Sequence, residues 1–137
     1  MRRAPRKYES ANVALCYIRQ SFTRDENDNN SPERQRANIE DIVRRKGWTP
    51  EWYEDVGGHR SGRSEENRPE WLKLKARLGE PDVVALVAND LSRLHRKGWR
   101  VGDLIETLEQ HGVALVLAAP GREVDTSTPI GKMFVQF

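Results

Sequence analysis

VALCYIR, residues 13–19, is a short apolar run rich in β-formers, and the stretch behind it, QSFTRDENDNN, has almost nothing to bury. A strand running into a polar loop sets the pattern for the whole chain. SPERQRANIEDIVRRKG (31–47) opens with Ser31 as N-cap and Pro32 at the first helical position, and closes at Gly47 behind Arg44, Arg45 and Lys46. TPEWYEDV (49–56) reads as a second strand, GGHRSGRSEENRP (57–69) as a loop without hydrophobic period, and PEWLKLKARLG (69–79) as a helix. PDVVALVAND (81–90) reads as a strand buried on both faces. Beyond LSRLHRKGWR (91–100), Val101, Leu104, Ile105 and Leu108 fall at helical spacing, and Gly112 is a stop before the strand VALVLAA (113–119). A turn containing PGREVD (120–125) leads into TSTPIGKMFVQF (126–137), where Thr128 and Pro129 start a last helix. Strands alternating with helices predict an α/β fold, a three-layer α/β/α sandwich around a mostly parallel central sheet.

The length, 137 residues, suits one sizeable core and is too short for two ordinary domains. We divide it into a basic N-terminal tail (1–12) and a single domain (13–137). With 36% hydrophobic and 32% charged residues the balance is that of a soluble protein. No apolar run approaches membrane-spanning length, and MRRAPRKYES lacks the apolar segment of a signal peptide, so the expected location is cytoplasmic and no membrane partner is expected. The one cysteine, Cys16, cannot form an internal disulfide, and with three scattered histidines (His59, His95 and His111) it makes no recognisable metal site; neither metal nor cofactor is expected. A net charge of +2 says little about partners, so the placement of the arginines matters more.

In parallel α/β sheets, sites form outside the carboxyl ends of the strands. Arg19 and Ser21 lie at one such end, and Asp90, Arg93 and Arg96 follow another. Arg93, Arg96 and Arg100 are spaced i, i+3, i+7, so a helix there sets three guanidiniums on one face, an arrangement that wants an anion. Gln35 shares the inward stripe of Ile39 and Ile42. Each residue has an ordinary reading: serine is common in loops, exposed arginines usually solvate a helix, Gln35 could cap a neighbouring loop, and Arg68 before a proline could lie on the surface. Trp48, Trp52 and Trp71 fit packing better than base stacking. Spacing removes some rivals. Cys16 lacks the arginine six positions on that a phosphatase loop needs, since Phe22 is there. Gly131-Lys132 lacks the upstream glycine of a phosphate loop, and no paired glycines follow the first strand.

YIRQS, SPERQRANI, SGRSEENRPEW, DLSRLHR and DTSTPIGKM occur in the order and approximate spacing of the serine recombinase catalytic domain. From about Val13 to Phe137 the chain resembles the resolvase/invertase superfamily, most of all its large serine integrase or transposon recombinase branch. The resemblance implies site-specific recombination of double-stranded DNA by cleavage and rejoining, with Ser21 as the nucleophile that becomes joined to the 5′ phosphate. It implies Arg19, Arg68, Arg93 and Arg96 around that phosphate, Gln35 in support and Tyr17 beside the site. The family has an acidic residue or a serine just before the first arginine of the SRLHR segment; this chain has Ser92 there, and Asp90 two residues earlier. The loop near His59 and Arg60 is longer than in small resolvases. On this reading Ser21, Arg19, Arg93 and Arg96 converge on one concave patch, with Arg68 on a mobile neighbouring loop.

The apolar stripe Ile130, Met133, Phe134 and Phe137 runs to the last residue without a cap, so the chain is expected to be cut within its last helix; the resemblance implies a larger integrase that forms a dimer on DNA and a tetramer in the synapse. Two alternatives stay open at this point: a small resolvase or invertase, and a noncatalytic flavodoxin-like module whose arginines bind an anion or a partner.

Overall fold

The structure, a computed structural model, describes residues 11–20, 31–56, 68–90, 94, 101–121, 123–126 and 128. Five strands, β1 (Val13–Gln20), β2 (Thr49–Val56), β3 (Val83–Ala88), β4 (Ala114–Leu117) and β5 (Val124–Asp125), form one sheet in the order β2-β1-β3-β4-β5. The first four are parallel, and β5 alone runs antiparallel, against β4. Helices α1 (Pro32–Lys46), α2 (Pro69–Arg77) and α3 (Val101–Gln110) connect them.

Strand alternation divides the core into two layers. Ala14, Cys16 and Ile18 of β1 join Ala85, Val87 and Val116 under Ile39, Ile42 and Val43 of α1. Leu15 and Tyr17 face the other way, into a cluster with Leu86 and Leu115, Trp71 and Leu74 of α2, and Leu104, Ile105 and Leu108 of α3. Both faces of the central strands are therefore covered, which is why their sequences read as unbroken apolar runs. Trp71 is buried, and Trp48 and Trp52 pack partly buried against the α1 layer, so all three tryptophans serve packing. The edge strand β2 is more exposed and carries Pro50, Glu51 and Glu54, residues that discourage pairing with a further strand.

The ends of α1 follow the sequence signals. Ser31 Oγ accepts from Arg34 N (3.3 Å), and Gly47, at φ 73°, closes the helix by donating to Arg44 O (3.2 Å), with Trp48 N donating to Val43 O (3.0 Å). A correction concerns PGREVD. We expected only a turn, but Val124 and Asp125 form β5, because Val124 buries its side chain beside Leu117 and Thr126 exchanges bonds with Leu115 (N to O 2.9 Å, and Leu115 N to Thr126 Oγ1 2.8 Å). Two residues are too few to show a period. The polar end of α1 reaches this hairpin through Arg45–Glu123 (3.0 Å) and Lys46–Asp125 (2.9 Å). The expected last helix from Pro129 onward, and residues 1–10 of the basic tail, lie outside the described residues.

Burial pushes the Cys16 thiol up to about 12, from an ordinary 9.0. Burial likewise raises the phenols of Tyr17 and Tyr53. A group whose folded-state pKa is raised contributes stability below its unfolded pKa and loses that contribution as pH climbs toward the folded value. The urea midpoint is therefore expected to fall steadily between about pH 9 and pH 12. Cys16 should also resist a thiol reagent at pH 8 until the protein is unfolded; native reaction at the rate of a free thiol would show β1 open to solvent.

Candidate active site

The strand order sets the place of the site. The connection from β1 to β2 runs through α1 on one face, and the connection from β2 back past β1 to β3 runs through α2 on the other, so the strand order reverses between β1 and β3, and the carboxyl ends of these two strands are where such sheets place their sites. The register puts Arg19 beside Asp55 and Tyr17 between Tyr53 and Ala88. Arg19, Asp55, Asn89 and Asp90 thus share one sheet edge, and the start of α2 follows from the same edge.

Asp55, only 2% exposed, is the hub of that edge. Its Oδ2 accepts from Tyr17 Oη (2.8 Å) and Trp71 N (3.0 Å), and its Oδ1 from Glu70 N (3.1 Å). Two of these donors belong to the first turn of α2, whose own N-cap position holds Arg68, a residue that makes no side-chain cap. The cap comes instead from β2, and its negative charge meets the positive end of the helix. Nothing in our sequence reading identifies Asp55. A signal existed: a helix beginning Arg68-Pro69 has no capping side chain of its own, which leaves its first-turn N–H groups to an acceptor from elsewhere.

Arg68 requires a correction. The sequence reading puts it on a mobile loop, whereas its side chain is fully buried. Its Nε donates to Tyr17 Oη (3.0 Å), and its guanidinium carbon lies 5.3 Å from the Tyr17 ring centroid and 4.9 Å from that of Trp71. The two rings are themselves in tilted contact, with centroids 5.1 Å apart. Two aromatic faces and a phenol oxygen hold a delocalised cation better than a solvated loop does. Tyr17 serves as the link, accepting from Arg68 and donating to Asp55. Burial pushes its phenol well above the ordinary range, with Arg68 opposing and Asp55 adding to the rise, so Tyr17 stays a neutral hydrogen-bonding group rather than a phenolate nucleophile.

On the opposite face, α1 turns two amides toward the same edge. Gln35, fully buried as expected, clamps the backbone of Arg19: Nε2 donates to Arg19 O (3.2 Å) and Oε1 accepts from Arg19 N (3.4 Å). It thereby imitates a neighbouring strand where β1 is about to end. Asn38, one turn later, donates to Asn89 Oδ1 (2.7 Å), and Asn89 Nδ2 donates to Asp90 Oδ2 (3.0 Å). Of the expected site residues, the structure places Tyr17, Arg19, Gln35, Arg68 and Asp90 on this one edge. Ser21, Ser92, Arg93 and Arg96 lie outside the described residues. Among the described residues no group of three His, Cys, Asp or Glu is arranged to hold a metal ion.

Removing the hub strands several buried donors at once. Asp55→Ala is expected to cost about 3 kcal/mol of unfolding free energy, and Tyr17→Phe about 1 kcal/mol, since the latter leaves both backbone caps in place. Urea titrations of the two variants check the order; equal losses would show that the caps on α2 contribute nothing.

The resolvase N-terminal domain family matches residues 14–137. No curated protein sequence matches the chain. Among solved structures, the N-terminal catalytic domain of TP901-1 integrase superposes with a TM-score of 0.71 at 22% identity, over 90% of this chain and 89% of that one. A resolvase family site-specific recombinase from Streptococcus pneumoniae gives a TM-score of 0.67 at 20% identity, over 91% and 83%. The C-terminal catalytic domain of IS1535 TnpA, an IS607-like serine recombinase, gives 0.55 at 26% identity, over 79% and 72%. The structural likenesses establish the shared fold, and the family match spans all five sequence motifs; the chain belongs to the resolvase N-terminal domain family.

Proposed function

We propose that this domain cuts and rejoins double-stranded DNA through Ser21, within a larger site-specific recombinase. Ser21 Oγ attacks the phosphorus of a backbone phosphodiester, a phosphoserine ester forms with the 5′ phosphate, the bond to the 3′ oxygen breaks, and the 3′ hydroxyl leaves carrying a proton. Rejoining is the same exchange reversed. One phosphoester replaces another, so neither direction needs a nucleotide.

Attack builds negative charge on the nonbridging oxygens, and Arg19, Arg68, Arg93 and Arg96 are the groups assigned to stabilise it. What supports this most is the way Arg68 is held, buried against Tyr17 and Trp71 at the edge where β1 delivers Arg19. A guanidinium fixed before the reaction stabilises developing charge without reorganising at the moment of attack. Gln35 belongs to the same scheme, since it clamps the strand end two residues before Ser21. Asp90 and Ser92 are assigned as supporting residues beside Arg93. The working assembly on this reading is a dimer on DNA and a tetramer in the synapse, acting in the cytoplasm. No helix among the described residues is long and apolar enough to cross a membrane.

Ser21→Ala should abolish cleavage while leaving DNA binding nearly intact, because it removes the nucleophile and no phosphate-neutralising charge. With a nicked suicide duplex, the unaltered protein should give a covalent adduct whose DNA-linked peptide contains Ser21, and a chelator should leave its rate unchanged. Cleavage by the alanine variant, or activity lost to chelator and restored by magnesium, would sink the mechanism. A noncatalytic anion-binding module would give no adduct at all.

A further inference from the structure

Asn89 is fully buried just beyond the carboxyl end of β3, and every polar end of its side chain is used. Nδ2 donates to Asp90 Oδ2 (3.0 Å), and Oδ1 accepts from Asn38 Nδ2 (2.7 Å). Its carbonyl accepts from Ala119 N (2.9 Å), which anchors the backbone while the amide is left to choose an orientation. The chemistry of the last member fixes that choice. A carboxylate only accepts, so Asn89 must turn its nitrogen to Asp90 and its oxygen to α1, and Asn38 must then donate. Turned the other way, the buried amide would set its oxygen against a carboxylate oxygen, a cost of the kind attached to any buried polar group without a partner.

We infer that Asn38 is a positioning residue of the active site: by donating to the end of the Asn89 amide that Asp90 leaves open, it anchors that amide to α1 and so holds the carboxylate at the head of the segment that carries Arg93 and Arg96. This rests on the recombinase reading and deepens it. Asn38 and Gln35 are one turn apart on α1, and they attach to the ends of β3 and β1, the two strands between which the strand order reverses. α1 therefore registers the strand leading to the nucleophile against the strand leading to the arginines. An in-line displacement is sensitive to such registration, since a misplacement of about 1 Å costs on the order of a hundredfold in rate.

Asn38→Ala and Asn38→Asp in the intact protein separate this role from simple packing. The readouts are the single-turnover rate of the Ser21 adduct on saturating nicked duplex, the DNA affinity measured apart from it, and the melting temperature. Asn38→Ala is expected to slow adduct formation about tenfold, the effect of one lost hydrogen bond in a chain ending on a charge, with affinity within about twofold. Asn38→Asp decides the matter. It is the same size, so it is the milder change if Asn38 merely fills space. In the chain described here it sets a carboxylate at each end of an amide that has one donor end, and the rate falls at least as far as in the alanine variant. Should Asn38→Ala fold poorly, the isosteric variant still carries the test. A near-normal rate for Asn38→Asp, or a loss accounted for by weaker DNA binding, overturns the inference. Absence of a Ser21 adduct from the unaltered protein overturns the parent reading and this one together, a result distinguishable from any behaviour of the Asn38 variants.

Discussion

The carboxylate of Asp55 accepts three hydrogen bonds from two other elements, and the carboxyl edge of the sheet is organised around it. β1 contributes the Tyr17 hydroxyl, and α2 contributes the backbone N–H groups of Glu70 and Trp71. A buried carboxylate is expensive unless its lone pairs are filled by well-aligned donors. Here they are, and the arrangement also fixes the direction in which α2 leaves the sheet. Trp71 is then pressed against Tyr17, and Arg68 has two aromatic faces and a phenol oxygen to rest on. Without Asp55 the phenol has no acceptor and the helix no cap, so the cation loses its platform indirectly.

The amino edge of the same sheet is held in a different way. Arg77, at the end of α2, donates to Asp82 (2.7 and 2.8 Å) and to Glu51 (2.9 and 3.2 Å), and Tyr53 bonds Glu51 as well. These groups are partly exposed, and the hydrogen bonds from Arg77 hold Glu51 below the ordinary carboxylate range. Exposed ion pairs contribute little singly, but a forked guanidinium shared by two carboxylates fixes geometry as well as charge. α2 is therefore pinned at both ends, by a carboxylate cap at its start and by a shared guanidinium at its finish. The position of Arg68, just before its first residue, follows from those two constraints.

How much of this could be read from the sequence depends on how local the physics is. The strands and helices were legible because burial on both faces leaves continuous apolar runs in β1 and β3, and because Ser31, Pro32 and Gly47 mark the ends of α1 with their own backbone chemistry. β5 was not legible, since two residues carry no period and its pairing with β4 is a tertiary fact. At the site, Gln35 could be placed because it shares the stripe of Ile39 and Ile42. Its bond to the backbone of Arg19 could not, and Asp55 was missed for the same reason: its partners lie 15, 16 and 38 residues away. Arg68 was misjudged because a loop composition of Gly, Ser and Arg says nothing about two aromatic rings arriving from other elements.

These differences bear on how the metal-free phosphoryl exchange proposed above is organised. Such a reaction, on the reading proposed here, leaves the whole stabilisation of transition-state charge to guanidiniums, and long arginine side chains lose rotamer freedom when fixed. An exposed arginine would meet that cost at the moment of reaction. Arg68 has met it on folding, through stacking on Tyr17 and Trp71 and a hydrogen bond to a phenol that is itself oriented by Asp55. The amides of Gln35 and Asn38 do the equivalent for the backbone end of β1 and for Asn89 at the end of β3. The described parts of the edge that set direction and distance are built from sheet, helix and buried polar groups. In this fold, polar residues are buried where the strands end because that is where orientation, rather than charge alone, has to be fixed.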